Sequence, residues 1–324
     1  MSAAIFRSID EVKGRFGPCA LAIGNFDGVH IGHRKLIREA VEFASERGIT
    51  PAVLTFDPHP TAVVAPDRIP LMICTMEQRV KLLGEAGAKK IFILGFTSEV
   101  AHESPDEFVS ELLVKRLEIR GVFVGEGFRF GYKQSGTPEV LAGLASKYNF
   151  TVRFVRPVTY RGETVSSSAV RQYLGAGNVS RAGRLLGRCY ALEDEVVKGH
   201  GIGSKQTVPT LNLRPEPGLI VPRGVYATKT CDVRTGRTWD SVTNSGVRPT
   251  FGGTEPTVES YLLSSLEGES PERIEVRFRH FIRAERQFPD AAALKSQILK
   301  DVARAEVFMR RSRRFGGGLS SGCC

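Results

Sequence analysis

Residues 19–33, CALAIGNFDGVHIGH, place a short apolar run directly before a Gly/Asp-rich turn and the start of a helix. The apolar run 19–24 predicts a buried strand, and the amphipathic pattern of residues 34–47 predicts the helix. A helix start offers free N–H groups and the positive end of the helix dipole, which both suit phosphate. His30 and His33 lie three residues apart, on one face of a helical turn, so both imidazoles can reach one phosphate group.

The rest of the first half alternates strand-like and helix-like patterns. Four further strands are predicted, at 51–56, 90–95, 121–125 and 151–156. Three further helices are predicted, at 78–86, 106–117 and 137–147. Strand, helix and strand at this spacing indicate a parallel sheet with crossover helices, and such sheets bind ligands beyond the carboxyl ends of their strands.

The pattern changes in the second half to short β-branched runs that are split by Gly and Pro. Five strands are predicted there, at 191–198, 224–233, 238–244, 257–263 and 274–282. They are typical of a compact antiparallel barrel, and a helix is predicted over 291–311. We therefore expect two domains, at 1–183 and 184–312, and a disordered Gly/Ser-rich tail at 313–324.

Length and composition are those of a soluble two-domain protein. The chain has 324 residues, of which 41% are hydrophobic and 25% charged, so two buried cores are expected. No run approaches the roughly 18 apolar residues that span a bilayer, and residues 1–10 lack the pattern of a signal peptide. The six cysteines are scattered and show no metal-ligand spacing, which argues against a disulfide framework or a structural metal. We expect a cytoplasmic protein.

The net charge is +10, and much of the excess lies near the end of the chain, at Arg310, Arg311, Arg313 and Arg314. Nucleic-acid binding is one explanation. A solvated helix end is the other, and it is favoured because no aromatic residues alternate with these arginines as they do in proteins that bind single strands. We expect no nucleic-acid partner and no membrane partner.

The two histidines alone leave three interpretations open: a phosphate site, a paired-His metal site, or incidental surface residues. A metal site would need further ligands, and the sequence offers no obvious set. The wider sequence favours the phosphate site. His30-Ile31-Gly32-His33 resembles the HIGH signature of the nucleotidyltransferase superfamily, which class I aminoacyl-tRNA synthetases share.

Longer segments resemble the adenylyltransferase half of the prokaryotic FAD synthetases. They are residues 24–33, TFDPHP at 55–60, VGEGFRFG at 124–131 and VSSSAVR at 165–171. The resemblance implies a Rossmann-like nucleotidyltransferase domain in which the phosphate of FMN attacks the α-phosphorus of ATP and pyrophosphate leaves. Such catalysis is mainly positioning and charge neutralisation.

The resemblance also implies roles for residues at these positions. The catalytic residues are His30, His33 and Arg171. The residues that contact ATP are Gly24, Asn25, Phe26, Asp27, His30, His33, Ser166, Ser167 and Arg171. The residues that contact the flavin are Asp57, His59, Pro60 and Phe128. Gly127 departs from the family, whose members commonly carry Asp or Asn there, so weaker binding with an unchanged reaction is expected.

A second motif lies in the second half, where KGHGIG at 198–203 precedes TVPTLN at 207–212. Taken alone, the glycines fit a flexible loop better than a phosphate cradle, and they match neither the Walker A nor the protein-kinase loop. Pro-Thr-x-Asn, however, resembles the PTxN signature of riboflavin kinases. Residues 241–252 and 258–263 extend that likeness, whereas Thr207-Val208 stands where Gly-Phe is usual.

The kinase resemblance implies a second set of roles. Thr210 and Asn212 would bind Mg²⁺ and the nucleotide phosphates, and a hard cation suits such sparse oxygen ligands. Gly199, Gly201 and Gly203 would contact ATP. Glu259 lies in an alternating strand, where a solvated Glu is ordinary; the resemblance makes it the general base that takes the proton of the riboflavin 5′-hydroxyl.

The sequence therefore predicts an α/β protein with a nucleotidyltransferase domain, a small antiparallel β-barrel kinase domain and a terminal helix. Its expected function is to convert riboflavin to FMN and FMN to FAD. The expected cofactor is Mg²⁺, with ATP as co-substrate. Expected partners are riboflavin, FMN, FAD, ATP, ADP and pyrophosphate, with a weak homo-oligomer allowed. Two alternatives stay open: a truncated tRNA-synthetase-like protein, although no KMSKS-type loop is visible, and a non-catalytic flavin- or nucleic-acid-binding regulator.

Overall fold

A computed structural model describes residues 3–197, 210–250 and 253–315 of the chain. The chain divides into two compact units, and the division falls between Ser166 and Ser167. Each unit is described by itself below. No helix within these ranges is both long and apolar enough to cross a membrane.

The first unit is built on a six-stranded sheet. Its strands are β1 (Ala4–Phe6), β2 (Cys19–Ile23), β3 (Thr50–Asp57), β4 (Lys90–Gly95), β5 (Ile119–Gly125) and β6 (Thr151–Val155). They lie in the order β1-β4-β3-β2-β5-β6, and every pairing is parallel. All five residues of the central β2 are buried, as expected for a strand covered on both faces. A two-stranded hairpin, β7 (Thr159–Tyr160) and β8 (Glu163–Thr164), follows the sheet.

Helices connect the strands of this sheet. They are α1 (Ile9–Val12), α2 (Ile31–Arg47), α3 (Thr61–Val64), α4 (Met76–Glu85), α5 (Ser98–His102), α6 (Pro105–Glu107) and α7 (Pro138–Tyr148), with short 3₁₀ turns at Pro66–Arg68 and Tyr132–Gln134. Successive residues of β2 alternate between two cores: Leu21 packs with Leu54 and Phe92, whereas Ala22 packs with Phe43. The sheet thus has a core on each face, and the predicted parallel sheet with crossover helices is confirmed.

Two local features of the first unit differ from the sequence prediction. The helix predicted over 106–117 is α6 continued by a π-helical run, Phe108–Arg116, which ends where the Leu117 N–H donates to the Leu112 carbonyl, five residues back. The edge strand β1 was not predicted, because three residues are too few to show a period.

The second unit is a closed antiparallel barrel with helices outside it. Its strands are β9 (Tyr190–Val197), β10 (Thr210–Leu213), β11 (Gly224–Asp232), β12 (Thr238–Thr250), β13 (Gly253–Leu262) and β14 (Arg273–Arg283). They close in the order β10-β13-β12-β11-β14-β9. The predicted barrel is therefore confirmed, with one strand, β10, that the sequence prediction missed.

Hydroxyl side chains fill part of the barrel interior. Thr228 lies 2.7 Å from the Ser241 hydroxyl and 2.6 Å from the Thr243 hydroxyl, and Thr243 lies 2.8 Å from the Ser260 hydroxyl. Thr230 joins this chain through Ser241 at 2.8 Å. All five residues are fully buried, so their mutual hydrogen bonds remove the cost of burying hydroxyl groups.

A long terminal helix, α10 (Ala291–Phe315), packs against the outer face of the barrel. Ala305 and Met309 contact an apolar patch made of Val225, Ala227 and Val242. The helix extends beyond the predicted end near residue 311 and includes the first three residues of the predicted tail. Residues 316–324, the rest of that tail, lie outside the described residues.

Two helices precede the barrel, α8 (Ser167–Gly175) and α9 (Val179–Leu186). Asn178 caps α9 by accepting a hydrogen bond from the Arg181 N–H at 3.1 Å. The apolar side chains of α9 are buried, and the helix packs against β9 and β14. The expected domain boundary at 183/184 falls inside this helix; that boundary stays a prediction.

The position of α9 predicts how barrel fragments behave. A fragment that begins at residue 184 should be at least about 2 kcal/mol less stable than one that begins at residue 167, because it loses the buried Val179 and Ala182. Urea denaturation followed by the fluorescence of Trp239 measures the difference. A fragment that begins at residue 177 keeps α9 whole and serves as the control; equal stability of all three would contradict the packing role of α9.

Candidate active sites

The loop between β2 and α2 lies at the carboxyl end of the central strand and is held in an unusual conformation. Phe26 and Val29 have φ values of 51° and 39°, in the left-handed region that non-glycine residues rarely occupy. Both side chains are fully buried. The Thr55 hydroxyl donates to the Asn25 carbonyl at 3.0 Å, which ties the loop to β3. Packing and hydrogen bonding thus impose the strained shape, as is common at functional sites.

Asp27 links this loop to the segment at residues 73–74. Its carboxylate is 1% exposed and accepts hydrogen bonds from the N–H groups of Ile73 at 3.0 Å and Cys74 at 3.3 Å. The buried Arg79 guanidinium lies 3.9 Å from the same carboxylate. Asp27 was predicted to contact ATP; the structure turns its carboxylate toward the 73–74 backbone, where it supports the loop.

Gly28 is the point where the loop after β2 comes closest to the segment at residues 73–74. Its N–H donates to the Cys74 Sγ at 3.3 Å. Its φ is +78°, and a Cβ there would lie 2.8 Å from the Ile73 side chain. Only glycine satisfies both conditions without strain.

His30 and His33 form a stacked pair at the start of α2. The His30 Nδ1 accepts the His33 N–H at 3.2 Å and so caps the helix. The ring centroids lie 3.6 Å apart, and Phe26 contacts the His33 ring edge-on at 5.1 Å. Because Nδ1 of His30 is an acceptor, its neutral ring carries the proton on Nε2. The cap therefore fixes the nitrogen that can donate to an anion at the helix start.

The end of β3 is linked to this loop through His59. The Asn25 side-chain amide lies 3.1 Å from the His59 Nε2, and the Thr61 N–H donates to the His59 Nδ1 at 3.3 Å. Asp57 is exposed at the last position of β3, and Pro60 is half-buried beside it. The two sequence motifs, at 24–33 and 55–60, are thus joined at one edge of the sheet.

Other predicted residues of this site lie on different elements. Phe128 follows β5, is half-buried, and stacks on Phe130 with centroids 5.5 Å apart. Ser166 is the last residue of the first unit, whereas Ser167 and Arg171 lie on α8 in the second unit.

The second unit brings its predicted residues together through strand register. Asn212 of β10 lies opposite Glu259 of β13, and Glu259 lies opposite Asn244 of β12. Thr210 lies two residues from Asn212 and therefore on the same face. Val242, two residues from Asn244, packs against α10, so this is the outer face of the barrel. Cross-strand neighbours have Cβ atoms about 5 Å apart, close enough to act on one ligand. Asn244 was not singled out from the sequence.

Glu285 is a second carboxylate near Glu259, and sequence reasoning missed it. A Cβ on Gly246 would collide with both of its carboxylate oxygens, so the carboxylate lies directly against that glycine. Partial burial raises the pKa of Glu285, Arg223 and Arg283 lower it, and the charge of Glu259 raises it. Only the register of β12 with β13, together with the loop after β14, brings these groups close.

Some predicted residues cannot be placed. Gly199, Gly201 and Gly203 of the predicted ATP loop, and Thr207 and Val208, lie outside the described residues. Among the residues that the structure does describe, no group of three or more His, Cys, Asp or Glu side chains is placed to hold a metal ion.

Comparisons with known proteins match two families to the chain, and the boundary between the two matches lies close to the boundary between the two units. The FAD synthetase family matches residues 13–169, and the riboflavin kinase family matches residues 186–309. A bifunctional riboflavin kinase/FMN adenylyltransferase of Haemophilus influenzae is 31% identical over 304 residues, which are 94% of this chain and 98% of that relative. The protein of the same description from Escherichia coli is 32% identical over 290 residues, 90% of this chain and 92% of that relative.

One solved structure has the same fold over nearly the whole length. It is described as a macrolide-efflux protein from Streptococcus pneumoniae, is 25% identical, and aligns with a TM-score of 0.83 over 94% of this chain and 99% of that one.

The loop geometry predicts opposite results for two glycines. Gly28→Ala should destabilise the first unit by about 2–4 kcal/mol, because a left-handed alanine and overpacking against Ile73 act together. Gly127→Ala should change stability by less than about 0.5 kcal/mol, because a Cβ there meets nothing within 4 Å. Thermal unfolding followed by circular dichroism compares the two variants; similar melting temperatures would show that Gly28 has no steric role.

Proposed function

The chain belongs to the family of bifunctional riboflavin kinases and FMN adenylyltransferases, and we propose which of its residues carry out each reaction. It phosphorylates riboflavin to FMN with ATP and then adenylylates FMN with a second ATP, giving FAD and pyrophosphate. Two observations support our assignment best: the two histidines stack at the start of α2, and Asn212 lies opposite Glu259 in the barrel.

Adenylyl transfer is assigned to the first site. His30 Nε2 and His33 would donate hydrogen bonds to the ATP phosphates at the start of α2, where the helix dipole also favours negative charge. Ser166, Ser167 and Arg171 would bind the triphosphate as well, and Arg171 supplies a permanent charge with a planar donor fork. Positioned donors of this kind stabilise charge that develops in the transition state.

The flavin side of this site is assigned to the end of β3 and the loop after β5. Asp57, His59, Pro60 and Phe128 would contact FMN. His59 is supported by its contacts with Asn25 and Thr61, so its ring is held in place before the flavin arrives. The stacked Phe128 offers an aromatic face to the isoalloxazine ring.

Riboflavin phosphorylation is assigned to the outer face of the barrel. Glu259 would accept the proton of the riboflavin 5′-hydroxyl as that oxygen attacks the γ-phosphorus of ATP. Thr210 and Asn212 fit Mg²⁺, because a hydroxyl and an amide oxygen are the hard ligands that this ion prefers. Bound there, Mg²⁺ would neutralise charge on the nucleotide phosphates. Gly199, Gly201 and Gly203 would contact the same nucleotide.

Both reactions use only small ligands, and we place them in the cytoplasm with no nucleic-acid or membrane partner. Among the described residues, Cys19, Cys74, Cys189 and Cys231 form no disulfide bond with one another, which suits a reducing compartment. A weak homo-oligomer is compatible with both sites.

His30→Asn should separate the two roles of His30. An Asn side chain is among the best helix caps, so α2 should keep its start, while the ring donor is lost. FAD formation from FMN should fall about 10²–10³-fold, and FMN made from riboflavin should accumulate. Chromatography of the flavins measures both. The exposed His102→Asn is the matched control, and an unchanged rate of FAD formation in His30→Asn would remove His30 from the mechanism.

Glu259→Gln should suppress riboflavin phosphorylation and spare adenylylation of supplied FMN. Gln keeps the size and a hydrogen-bonding oxygen but cannot take the hydroxyl proton, so turnover should fall about 10²–10⁴-fold with little change in riboflavin affinity. Glu275→Gln on β14 is the control, since Glu275 is ion-paired with Arg277 away from the site. A folded Glu259→Gln enzyme with normal kinase turnover would contradict the assignment.

A further inference from the structure

A groove lies on the outer face of the barrel, beside the last turns of α10, and neither reaction uses it. It has a volume of about 700 Å³. Four cationic and two acidic side chains line it: Lys229, Arg279, Arg310, Arg313, Asp240 and Glu306. Thr238 and Trp239 of β12 and Met309 of α10 also contribute to its walls. Cations therefore outnumber acids in a cavity large enough for a small-molecule ligand.

The groove is separate from the kinase residues. Lys229 and Asp240 are a cross-strand pair, and each lies four residues along its strand from Val225 and Asn244 respectively. Four residues of strand span about 13 Å. Ala227 and Val242, a cross-strand pair of the apolar patch under α10, lie between these two positions. A ligand in the groove would therefore not overlap a ligand at Glu259.

Two of the arginines are held in position by neighbouring side chains. Arg279 donates to the Ser312 hydroxyl at 2.9 Å and contacts the Met309 sulfur at 3.6 Å. Arg313 is paired with Asp240. A guanidinium that is fixed before binding loses less side-chain freedom when it binds an oxyanion, and its planar donor fork matches phosphate.

Two other cations of the groove are not ion-paired with any described residue. Within the described part of the chain, neither Lys229 nor Arg310 makes an ion pair with an acidic side chain, although both line the groove. Lys229 is half-buried on β11. The four cations and two acids of the lining leave a net charge of +2 around one cavity, which focuses a positive potential there.

We propose that this groove is a binding site for a phosphate-bearing anion, held by Lys229, Arg279 and Arg310. The ligand carries at least two negative charges, since one charge would leave cations of the lining unmatched. Pyrophosphate and nucleotides share this chemistry, and the experiment distinguishes them. The proposal gives Arg310, at the basic end of α10, a function in binding, whereas Arg311 and Arg314 do not line the groove.

The test titrates the full-length protein with sodium pyrophosphate, and separately with ADP and with citrate, at matched ionic strength. Trp239 is the chain's single tryptophan and lines the groove, so its fluorescence reports on binding there. Isothermal titration calorimetry counts the sites independently of any fluorescence change. The variants are the double substitution Lys229→Gln with Arg310→Gln, and the control Arg311→Gln with Arg314→Gln, which removes the same charge beside the groove.

We expect pyrophosphate to bind the wild type and the control variant equally. In the Lys229→Gln/Arg310→Gln variant its affinity at this site should fall about 10-fold or more, so calorimetry should detect one site fewer. Binding of pyrophosphate and ADP alike would point to a phosphate site, and binding of ADP alone to a nucleotide site. Both enzymatic rates should be unchanged in both variants.

Three outcomes would overturn the proposal. The first is that the groove variant and the control variant bind pyrophosphate at the same number of sites, and likewise ADP. The second is an equal loss of affinity in the two variants, which would show diffuse attraction to the basic surface. The third is citrate binding as tightly as pyrophosphate, which would show a site for charge without selection of phosphate.

Discussion

The buried carboxylate of Asp27 is the contact on which the first active site depends. It lies at the carboxyl end of the central strand and accepts N–H groups from Ile73 and Cys74. Removing one partner of such a buried, hydrogen-bonded charge typically costs about 3–5 kcal/mol. These contacts hold the loop in which Phe26 and Val29 adopt left-handed conformations. The loop leads directly into α2, where His30 and His33 stack.

Strand register plays the corresponding role in the barrel. The pairing of β10 with β13 places Asn212 opposite Glu259, and a slip of β10 by one residue would turn Asn212 to the interior. The interior hydroxyl chain resists such a slip, because Thr228, Thr243 and Ser260 would lose their buried partners. The same residues that stabilise the barrel thus also keep Asn212 and Glu259 on its outer face.

The sequence was most informative where structure is local. The strand–loop–helix at 19–47, the alternation of strands and helices, and the short β-branched runs all have periods that can be read without tertiary contacts, and both architectures followed from them. The motifs at 165–171 and 207–212 identified the family because each has its residue types at the family's fixed spacing, although overall identity to the relatives is low.

What the sequence could not supply depends on contacts between distant residues. Nothing local shows that Asp27 turns toward residues 73–74, that Glu285 lies on Gly246, or that Asn244 stands opposite Glu259. The strand β10 is only four residues long, too short to show a period in the sequence. The placement of α9 on the barrel is likewise a packing effect, since the spacing of its apolar side chains does not show which strands they contact.

The family to which the chain belongs makes FMN from riboflavin and FAD from FMN. The measurement that tests this most directly is a time course of the full chain with riboflavin, ATP and Mg²⁺, in which flavins, ADP and pyrophosphate are quantified. The account predicts that FMN appears first with one ADP per riboflavin phosphorylated, and that FAD follows with one pyrophosphate each. Failure of a folded protein to form FMN, or conversion to FMN with no FAD at any time, would contradict it.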